Sequence, residues 1–428
     1  MATEGYFEEA IAVARELRTL DIASGADSAQ IRWYDVWIES LTDAAALPDS
    51  ARRELAQANQ LQFEIGDAWD QGHYMQALGW TEEQLRLRQR WFGPDHPETA
   101  YALGSLGRAL YRVGGPWEAE APIRESVRIL RDRFGSDHFL TLGTQTFLAE
   151  LLEGQGSYEE AEELLRSVIA ARRRRTGQSD PSLAASLNSL ADVYRRLGKL
   201  QEAEQVLREA LHINRTAEYE WIPGEEKFRR DQEADLEREL AEVLLDEGDA
   251  AEASVHAALA LRTRRKFHEE PPVIATMLAT LGDAEAELGH LERADSLLEA
   301  VVSIRREYFG PRHRLLAAAL GSVGRLRERE GRLEEAAAIY AESETIQREV
   351  FGPHHPETMG TANSLATVLF DLRRYDEARS LCQEIADNTD RPRDRGRALE
   401  TLGSIQLAQG SAREADRLLS QAADIYET

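Results

Sequence analysis

The sequence has 428 residues, too many for one compact globular core, so several domains or one elongated array are expected. Hydrophobic residues make up 42% and charged residues 30%, which suffices for folding and excludes wholesale disorder. The formal charge is −26, and so acidic a chain repels the phosphate backbones of nucleic acids. Neutral or basic peptides are better partners for it.

The sequence also favours a cytoplasmic protein that does not cross a membrane. No run approaches the roughly 20 apolar residues that a membrane span needs. The acidic start, Met1-Ala2-Thr3-Glu4, lacks the basic and apolar segments of a signal peptide. Cys382 is the single cysteine, so no internal disulfide is possible, and a reducing compartment is expected.

The first predicted elements lie in an irregular helical segment, residues 1–54. The stretch Gly5-Tyr6-Phe7-Glu8-Glu9-Ala10 begins a pattern that recurs along the chain, but here it lacks the helix that precedes it elsewhere. Residues 28–46 are predicted to form a helix with Ile31, Tyr34, Ile38 and Leu41 on one side. We expect this segment to act as a cap or a partial repeat. A repeat that begins halfway indicates a piece of a longer protein.

The recurring pattern is a glycine, a bulky residue two positions later, an acidic residue two after that, and then alanine. Its alanines are spaced mostly 42 residues apart, which is a repeat period: Ala77, Ala119, Ala161, Ala203, Ala253, Ala294, Ala336, Ala378 and Ala415. Twelve residues before most of them lies a small residue, as in Gly107, Gly282 and Gly324, whereas Ile65 is an exception. The apolar spacing on both sides is helical. Each copy is therefore predicted to be a helix, a tight turn and a second helix.

The boundaries of these helices carry their own signals. Phe-Gly pairs such as Phe134-Gly135 end several second helices, and a glycine there supplies a left-handed cap. Sequences such as His354-His355-Pro356 follow, in which an N-capping residue precedes a proline in the first turn. Start, stop and period therefore agree on one architecture.

The small-residue and alanine positions twelve apart resemble the tetratricopeptide repeat. The 42-residue period, the Gly-Pro-Asp-His-Pro-Glu-Thr sequence of residues 93–99 with its counterpart at 352–358, and Leu187-Asn188-Ser189-Leu190-Ala191 are similar to the kinesin-light-chain subclass. The resemblance covers residues 55–428. It implies an all-α, right-handed superhelical α-solenoid of antiparallel helix pairs, with about nine repeats.

An insertion interrupts the period at residues 216–232, where the spacing between alanines rises to 50 and the Asp-His-Pro sequence is missing. It contains Tyr219, Trp221 and Phe228. One interpretation is a longer first helix whose aromatic residues pack on the previous repeat, and the other is a loop that lines or caps a groove. At the other end of the chain, residues 412–427 are predicted to form the last helix.

The candidates for chemistry are weak. His96, His138, His313 and His355 occupy one column of the repeat but lie on different repeats, so we expect helix capping and no metal site. Cys382 is interpreted as core filler. The basic runs at residues 172–175 and 262–266 end helices, where cations oppose the helix dipole; the alternative is a docking patch. No catalytic motif occurs, so neither an enzyme nor a cofactor is expected.

The resemblance further implies that the first helix of each repeat lines a concave groove. Transferring the family's groove positions gives the residues 15, 11, 8 and 7 before each alanine. The early set is basic in part: Arg108, Tyr111, Arg112, Thr146, Glu150, Asn188, Asp192, Arg195 and Arg196. The middle set is mostly acidic: Arg238, Glu242, Asp246, Glu247, Asp283 and Glu287. The later set is mixed: Arg325, Glu328, Arg329, Asn363, Thr367 and Asp371.

These positions suggest a scaffold that holds a protein or peptide of mixed charge, with its acidic part near Arg195 and Arg196 and its basic part near Glu242 and Asp246. Asn188 and Asn363 match the asparagine whose amide, in the family, can bond a peptide backbone. Two alternatives stay open. The chain could be the sensor or regulatory arm of a larger bacterial signalling protein with a kinase or NTPase module, or a self-assembly module. The sequence leaves the oligomeric state open.

Overall fold

A computed structural model of the chain describes residues 4–24, 28–70, 74–113, 115–176, 181–216, 225–267, 271–389 and 391–427. These residues form twenty α-helices and no β-strand, which confirms the all-α class. Tertiary contacts divide the chain into two units, Met1–Leu197 and Gly198–Thr428. None of the helices in the described residues combines the length and apolar character that a membrane span requires.

The first unit holds nine helices within its described residues; α1 packs against α2, and from α3 to α9 each helix packs against the next one in sequence. They are α1 (Glu4–Ser24), α2 (Ser28–Ala46), α3 (Asp49–Asp70), α4 (Tyr74–Phe92), α5 (Pro97–Val113), α6 (Pro116–Phe134), α7 (Phe139–Gly154), α8 (Tyr158–Thr176) and α9 (Pro181–Arg196). The predicted helix at residues 28–46 is thus confirmed as α2.

Within the second unit, too, each helix packs against the next one in sequence. Its helices are α10 (Leu200–Thr216), α11 (Glu225–Glu247), α12 (Ala250–Phe267), α13 (Pro271–Glu287), α14 (Leu291–Phe309), α15 (Arg314–Arg329), α16 (Leu333–Phe351), α17 (Pro356–Asp371), α18 (Tyr375–Asn388), α19 (Pro392–Ala408) and α20 (Ala412–Glu427). The predicted last helix, residues 412–427, is confirmed.

The nine anchor alanines lie near the starts of the even-numbered helices from α4 to α20, and none is more than 1% exposed. The small residues twelve positions earlier explain why the helices can pair closely. A Cβ atom built on Gly107 would lie 2.4 Å from Ile123, and one on Gly324 would lie 2.7 Å from the ring of Tyr340. Real Cβ atoms do not come so close, so these glycines are needed for the packing.

The helix starts follow the predicted capping pattern. In α7 the side chain of His138 accepts a hydrogen bond from the backbone N–H of Leu140, and its ring stacks on Phe134 with 4.6 Å between centroids. The other three column histidines cap and stack in the same manner. The cap glycine differs in one respect from the prediction. Gly135 has a positive φ of 93°, but its ψ of 165° lies outside the left-handed helical region, in a conformation that is essentially restricted to glycine.

The insertion appears in the described residues as a longer first helix. Helix α11 has 23 residues, whereas α13 has 17 and α15 has 16. This agrees with the first of the two interpretations for residues 225–232. The packing predicted for Tyr219 and Trp221, and for the side chain of Phe228, lies outside the described residues.

Helix α2 reaches beyond the neighbouring pair α3/α4. Its Glu39 forms an ion pair with Arg133 at the end of α6, and Asp43 lies 3.4 Å from Nε2 of His96, just before α5. Tyr34, on the predicted apolar side, is buried. The N-terminal segment is therefore attached to the α5/α6 pair by polar contacts.

Candidate functional site

The predicted groove residues all lie on the first helices of their pairs: α5, α7 and α9 in the first unit, and α11, α13, α15 and α17 in the second. We call the surface formed by these helices and α19 the first-helix face, and we describe it separately for each unit. Its chemistry depends on which of its charges are already paired.

In the first unit, Arg195 and Arg196 are both engaged. Arg195 Nη2 lies 3.1 Å from an oxygen of Asp192 in the same helix. Arg196 Nε lies 3.0 Å from Oε1 of Glu153 at the end of α7, and 3.9 Å from Asp192. The positive charge predicted here is therefore largely neutralised by neighbouring carboxylates.

Glu150 stands one period before Asp192 in the same column. It reaches solvent, and its Oε1 accepts a hydrogen bond from Ser189 Oγ at 3.1 Å. Desolvation by the surrounding protein raises the pKa of Glu150, and the charge of Asp192 acts in the same direction; the Ser189 hydrogen bond and the charge of Arg108 oppose the shift. Like charges one repeat apart thus influence each other.

Arg108 and Tyr111 form an aromatic contact with α7. The guanidinium of Arg108 lies 5.4 Å from the ring centroid of Phe147, and Tyr111 meets the same ring edge-on at 5.8 Å. Arg108 is exposed and has no ion-pair partner among the described residues. The side chain of Arg112 lies outside the described residues.

Thr146 and Asn188, two polar positions predicted for the groove of the first unit, differ in burial and hydrogen bonding. Thr146 is buried and spends its hydroxyl on the carbonyl of Leu142, with Ser186 at 3.3 Å. Asn188 is half-buried, and its Oδ1 has no hydrogen-bond partner in the described part of the chain. Only Asn188 of these two therefore has a buried acceptor still to be satisfied.

In the second unit, charges pair across consecutive repeats. Arg325 Nη2 lies 3.1 Å from Oδ1 of Asp283, and Ser322 donates to the other oxygen of Asp283 at 3.0 Å. Arg329 forms an ion pair with Glu287. Each pair joins residues 42 apart in the same column of the repeat, so the period itself brings the opposite charges together.

The acidic stretch around α11 is also partly neutralised. Arg238 pairs with Glu239 and Glu242 in its own helix, and Thr280 donates to Oε1 of Glu242 at 3.2 Å. Asp246 is exposed near the end of α11. The two-signed groove predicted from the transferred family positions is therefore, in these residues, a network of compensating pairs.

Asn363 does not lie on the surface. It is 2% exposed, and its Nδ2 donates to the backbone carbonyl of Asp394 at 3.2 Å. This amide joins α17 to α19, and it is not available to a peptide. The expected backbone contact at this position does not fit the observed burial.

The first-helix face of the second unit contains a cleft of about 400 Å³. The lining residues come from α15, α16, α17 and α19: Arg325, Glu328, Arg329, Tyr340, Ser364, Thr367 and Arg397. Tyr340 is buried and donates its hydroxyl to Oε2 of Glu328 at 3.1 Å. Burial raises the pKa of Tyr340, so this hydroxyl remains a donor.

Tyr340, Ser364 and Arg397 are the cleft residues that the sequence reasoning missed. Arg397 is exposed and, within the described residues, has no ion-pair partner. It lies 18 residues before Ala415, beyond the four positions transferred from the family, so only the packing of α19 beside α17 brings it to the cleft. Its unpaired charge distinguishes it from Arg325 and Arg329.

The family profile of the tetratricopeptide repeat matches residues 66–132, 140–216, 273–349, 317–387 and 357–428. Together these spans cover well over half of the chain. The chain belongs to the tetratricopeptide repeat family. No curated protein sequence matches it.

Solved structures resemble this tetratricopeptide array. A Rap protein complexed with Competence and Sporulation Factor shares 14% identity with a TM-score of 0.52, over 89% of this chain and 99% of that one. A kinesin light chain with nearly identical repeats from Podosopora anserina shares 26% identity over 50% of this chain and 97% of its own, with a TM-score of 0.38. A signal transduction ATPase with a tetratricopeptide sensor from Pyrococcus horikoshii shares 15% identity over 82% of this chain and 52% of its own, with a TM-score of 0.46.

The remaining candidates for chemistry are buried or form contacts within the array. Cys382 is fully buried, and burial raises the pKa of its thiol to about 12, so it is not an activated nucleophile. The basic run at the end of α8 contacts the loop between α6 and α7, where Arg174 lies 3.4 Å from Asp137. In the run that ends α12, Arg264 is bound between Asp231 and Asp235 of α11. Among the described residues, no cluster of potential metal ligands occurs.

Proposed function

We propose that this tetratricopeptide array is a binding scaffold, not a catalyst, and that an extended peptide segment occupies the first-helix face of its second unit. The observation that carries the proposal is Arg397, an exposed cation without an ion-pair partner in the described residues, at a cleft that three first helices share. A carboxylate of the partner would form an ion pair with this guanidinium group.

The rest of the cleft supports an extended chain. Ser364 donates its hydroxyl to the carbonyl of Gly360 at 3.3 Å, and Thr367 donates to that of Asn363 at 3.0 Å. Each hydroxyl oxygen keeps lone pairs that can accept backbone N–H groups from a peptide. Arg325 and Arg329 are held by Asp283 and Glu287, which fixes the wall of the cleft before a partner arrives.

The fold offers one further support. The similar Rap protein was solved as a complex with Competence and Sporulation Factor, so a closely sized array of this fold accommodates a bound factor. The earlier expectation that acidic groups bind near Arg195 and Arg196 remains a proposal of lower rank. Because those side chains pair with Asp192 and Glu153, reversing their charge would also disturb the array itself.

The test is selection from a random peptide display library on the immobilised chain, followed by affinity measurement of enriched peptides. We expect enriched peptides to share an acidic residue. Arg397→Glu should weaken their binding by about tenfold or more, since a charge-assisted hydrogen bond becomes a repulsion.

The matched control is Arg413→Glu, the same charge change on the exposed side of α20, the second helix of the same pair. It should leave affinity within about twofold. Equal losses in both variants, or no enrichment of any peptide, would contradict the proposal.

A further inference from the structure

A second cleft, of about 300 Å³, lies in the first unit between α2, α4, α5, α6 and α7. Its apolar lining includes Val36, Trp37, Leu130, Phe134 and Leu140. Gly104 lines the same space and contributes no side chain to fill it. The cleft is a well-sized compartment for a small molecule with an apolar body.

The charged residues that line this cleft carry an excess of positive charge. They are Arg88, Arg108 and Glu98, two cations against one carboxylate, in a chain whose formal charge is −26. A net positive, largely apolar cleft in so acidic a chain favours an anionic occupant.

Arg88 supplies the most specific observation. It is 5% exposed, and two of its nitrogens are engaged: Nε lies 3.3 Å from Oε2 of Glu98, and Nη2 donates to Oδ1 of Asn59 at 3.0 Å. The third nitrogen, Nη1, is buried and has no hydrogen-bond partner in the described residues. A buried, charged donor left unsatisfied is costly. Because Arg88 lines the cleft, a ligand oxygen that reached Nη1 would relieve this cost.

Arg108 stands at the edge of the same cleft without an ion-pair partner among the described residues, and the charge of Glu150 also acts on it. Its Nη2 lies 3.8 Å from where a Cβ of Gly104 would be, and its guanidinium faces Phe147. A planar guanidinium held in this manner can still bind a carboxylate through its free N–H groups. Two guanidinium groups therefore serve one cleft.

We infer that this cleft binds a small free carboxylic acid with an aliphatic or aromatic body of about ten non-hydrogen atoms. Its carboxylate lies between the guanidinium groups of Arg88 and Arg108, and its apolar body lies against Trp37 and Leu130. The inference is independent of the proposed peptide face, because every residue involved belongs to the first unit.

The ligand would also hold α2 in place. Helix α2 forms one wall through Val36, Trp37 and Ser40, and the ion pair of Glu39 with Arg133 attaches it to α6. Filling the cleft adds apolar contact between α2 and α5. Binding should therefore slow amide hydrogen exchange in residues 36–40.

The experiment titrates the whole chain with three probes, hexanoate, 3-phenylpropionate and indole-3-acetate, by calorimetry and ligand-observed NMR. At least one should bind saturably, with a dissociation constant of about 1 mM or tighter, as expected from its size. The neutral amide of the same probe should bind at least about tenfold more weakly because the charge-assisted bonds are lost. Arg108→Gln should weaken the acid by about tenfold and leave the amide unchanged.

The control variant is Arg131→Gln on α6, an exposed arginine outside the cleft that lies 3.6 Å from Asp132. It should leave binding unchanged. The inference is overturned if none of the three acids binds, if acid and amide bind equally, if Arg108→Gln has no effect, or if binding leaves exchange in residues 36–40 unchanged. None of these results bears on peptide capture by the second unit.

Discussion

At the scale of single residues, the turn between the two helices of a pair has a defined backbone requirement. In several repeats a glycine five positions before the anchor alanine has positive φ, such as Gly331 at 75°. Arg373 occupies this position in its own repeat, with φ 59°. No other non-glycine residue in the described part of the chain has a positive φ. Because a Cβ atom in this conformation costs about 1–2 kcal/mol, the turn before α18 is strained.

We predict that Arg373→Gly stabilises the chain by about 0.5–1 kcal/mol, which is the relief of strain reduced by the greater freedom of glycine in the unfolded state. The measurement is the thermal midpoint by circular dichroism. Gly331→Ala introduces the opposite change at the same turn position and should lower the midpoint. A lower midpoint for Arg373→Gly would show that the arginine side chain contributes more than its backbone costs.

His313 makes stability depend on pH. Burial and the charges of Arg314 and Arg305 lower its pKa to about 4 in the folded chain, from 6.5. As pH falls, the unfolded chain therefore binds the proton first. The contribution of the neutral histidine is complete above pH 6.5 and is lost as pH falls from 6.5 towards 4.

His313→Asn keeps an N-capping side chain and removes this titration. When the pH falls from 7 to 5, the free energy of unfolding should decrease by about 1 kcal/mol less in this variant than in the unmodified chain. The measurement is urea unfolding at both pH values. The same loss of stability in His313→Asn as in the unmodified chain would refute the assignment.

The sequence was informative about residues with local roles and less so about residues whose role depends on packing. The capping function of His138 and His355 follows from their position beside a helix start, which the sequence displays. The burial of Asn363 does not, because its partner is a carbonyl of the next repeat. Arg397 was missed because only the packing of α19 beside α17 brings it to the cleft.

At the scale of elements, the close pairing of helices rests on a small residue facing a large one. Gly324 of α15 faces the ring of Tyr340 of α16, which is 2% exposed. We predict that Gly324→Ala destabilises the chain by about 1–3 kcal/mol, because the added methyl must displace a fully packed ring. The measurement is urea unfolding monitored by circular dichroism.

The matched control is Gly321→Ala, three residues earlier in the same helix. Its Cβ would find only Arg325 Nη1, at 4.0 Å, so alanine should be neutral or stabilising by up to about 1 kcal/mol through its helix propensity. Equal effects of the two substitutions would contradict the close-packing role of Gly324.

The lateral ion pairs show what the repeat period could have predicted. Asp283 and Arg325, and likewise Glu287 and Arg329, are 42 residues apart, one repeat period. Opposite charges at one period in the same column should therefore be expected to pair between neighbouring first helices. Treating each position as a separate surface charge assigned these residues to the first helices, where they lie, but overestimated the free charge on them.

At the scale of the whole molecule, the nine anchors predicted the helix pairs because one relation, a small residue twelve positions before an alanine, determines both helices and the turn. The 42-residue kinesin-light-chain subclass, the domain boundary near residue 54 and the binding face remain predictions. The division of the described contacts into two units was not visible in the repeat pattern. The proposed peptide face lies in the second unit and the proposed small-acid cleft in the first.

The central claim is that partners bind the first helices of the second unit. The most direct measurement is photo-crosslinking of a selected peptide to a photoreactive amino acid placed at Ser364 on α17 or at Ser380 on α18. Each position holds a serine of the same helix pair: Ser364 lines the cleft, and Ser380 is exposed on the second helix. We predict crosslinks from position 364 and background from position 380. Crosslinks from position 380 with none from position 364 would contradict the account.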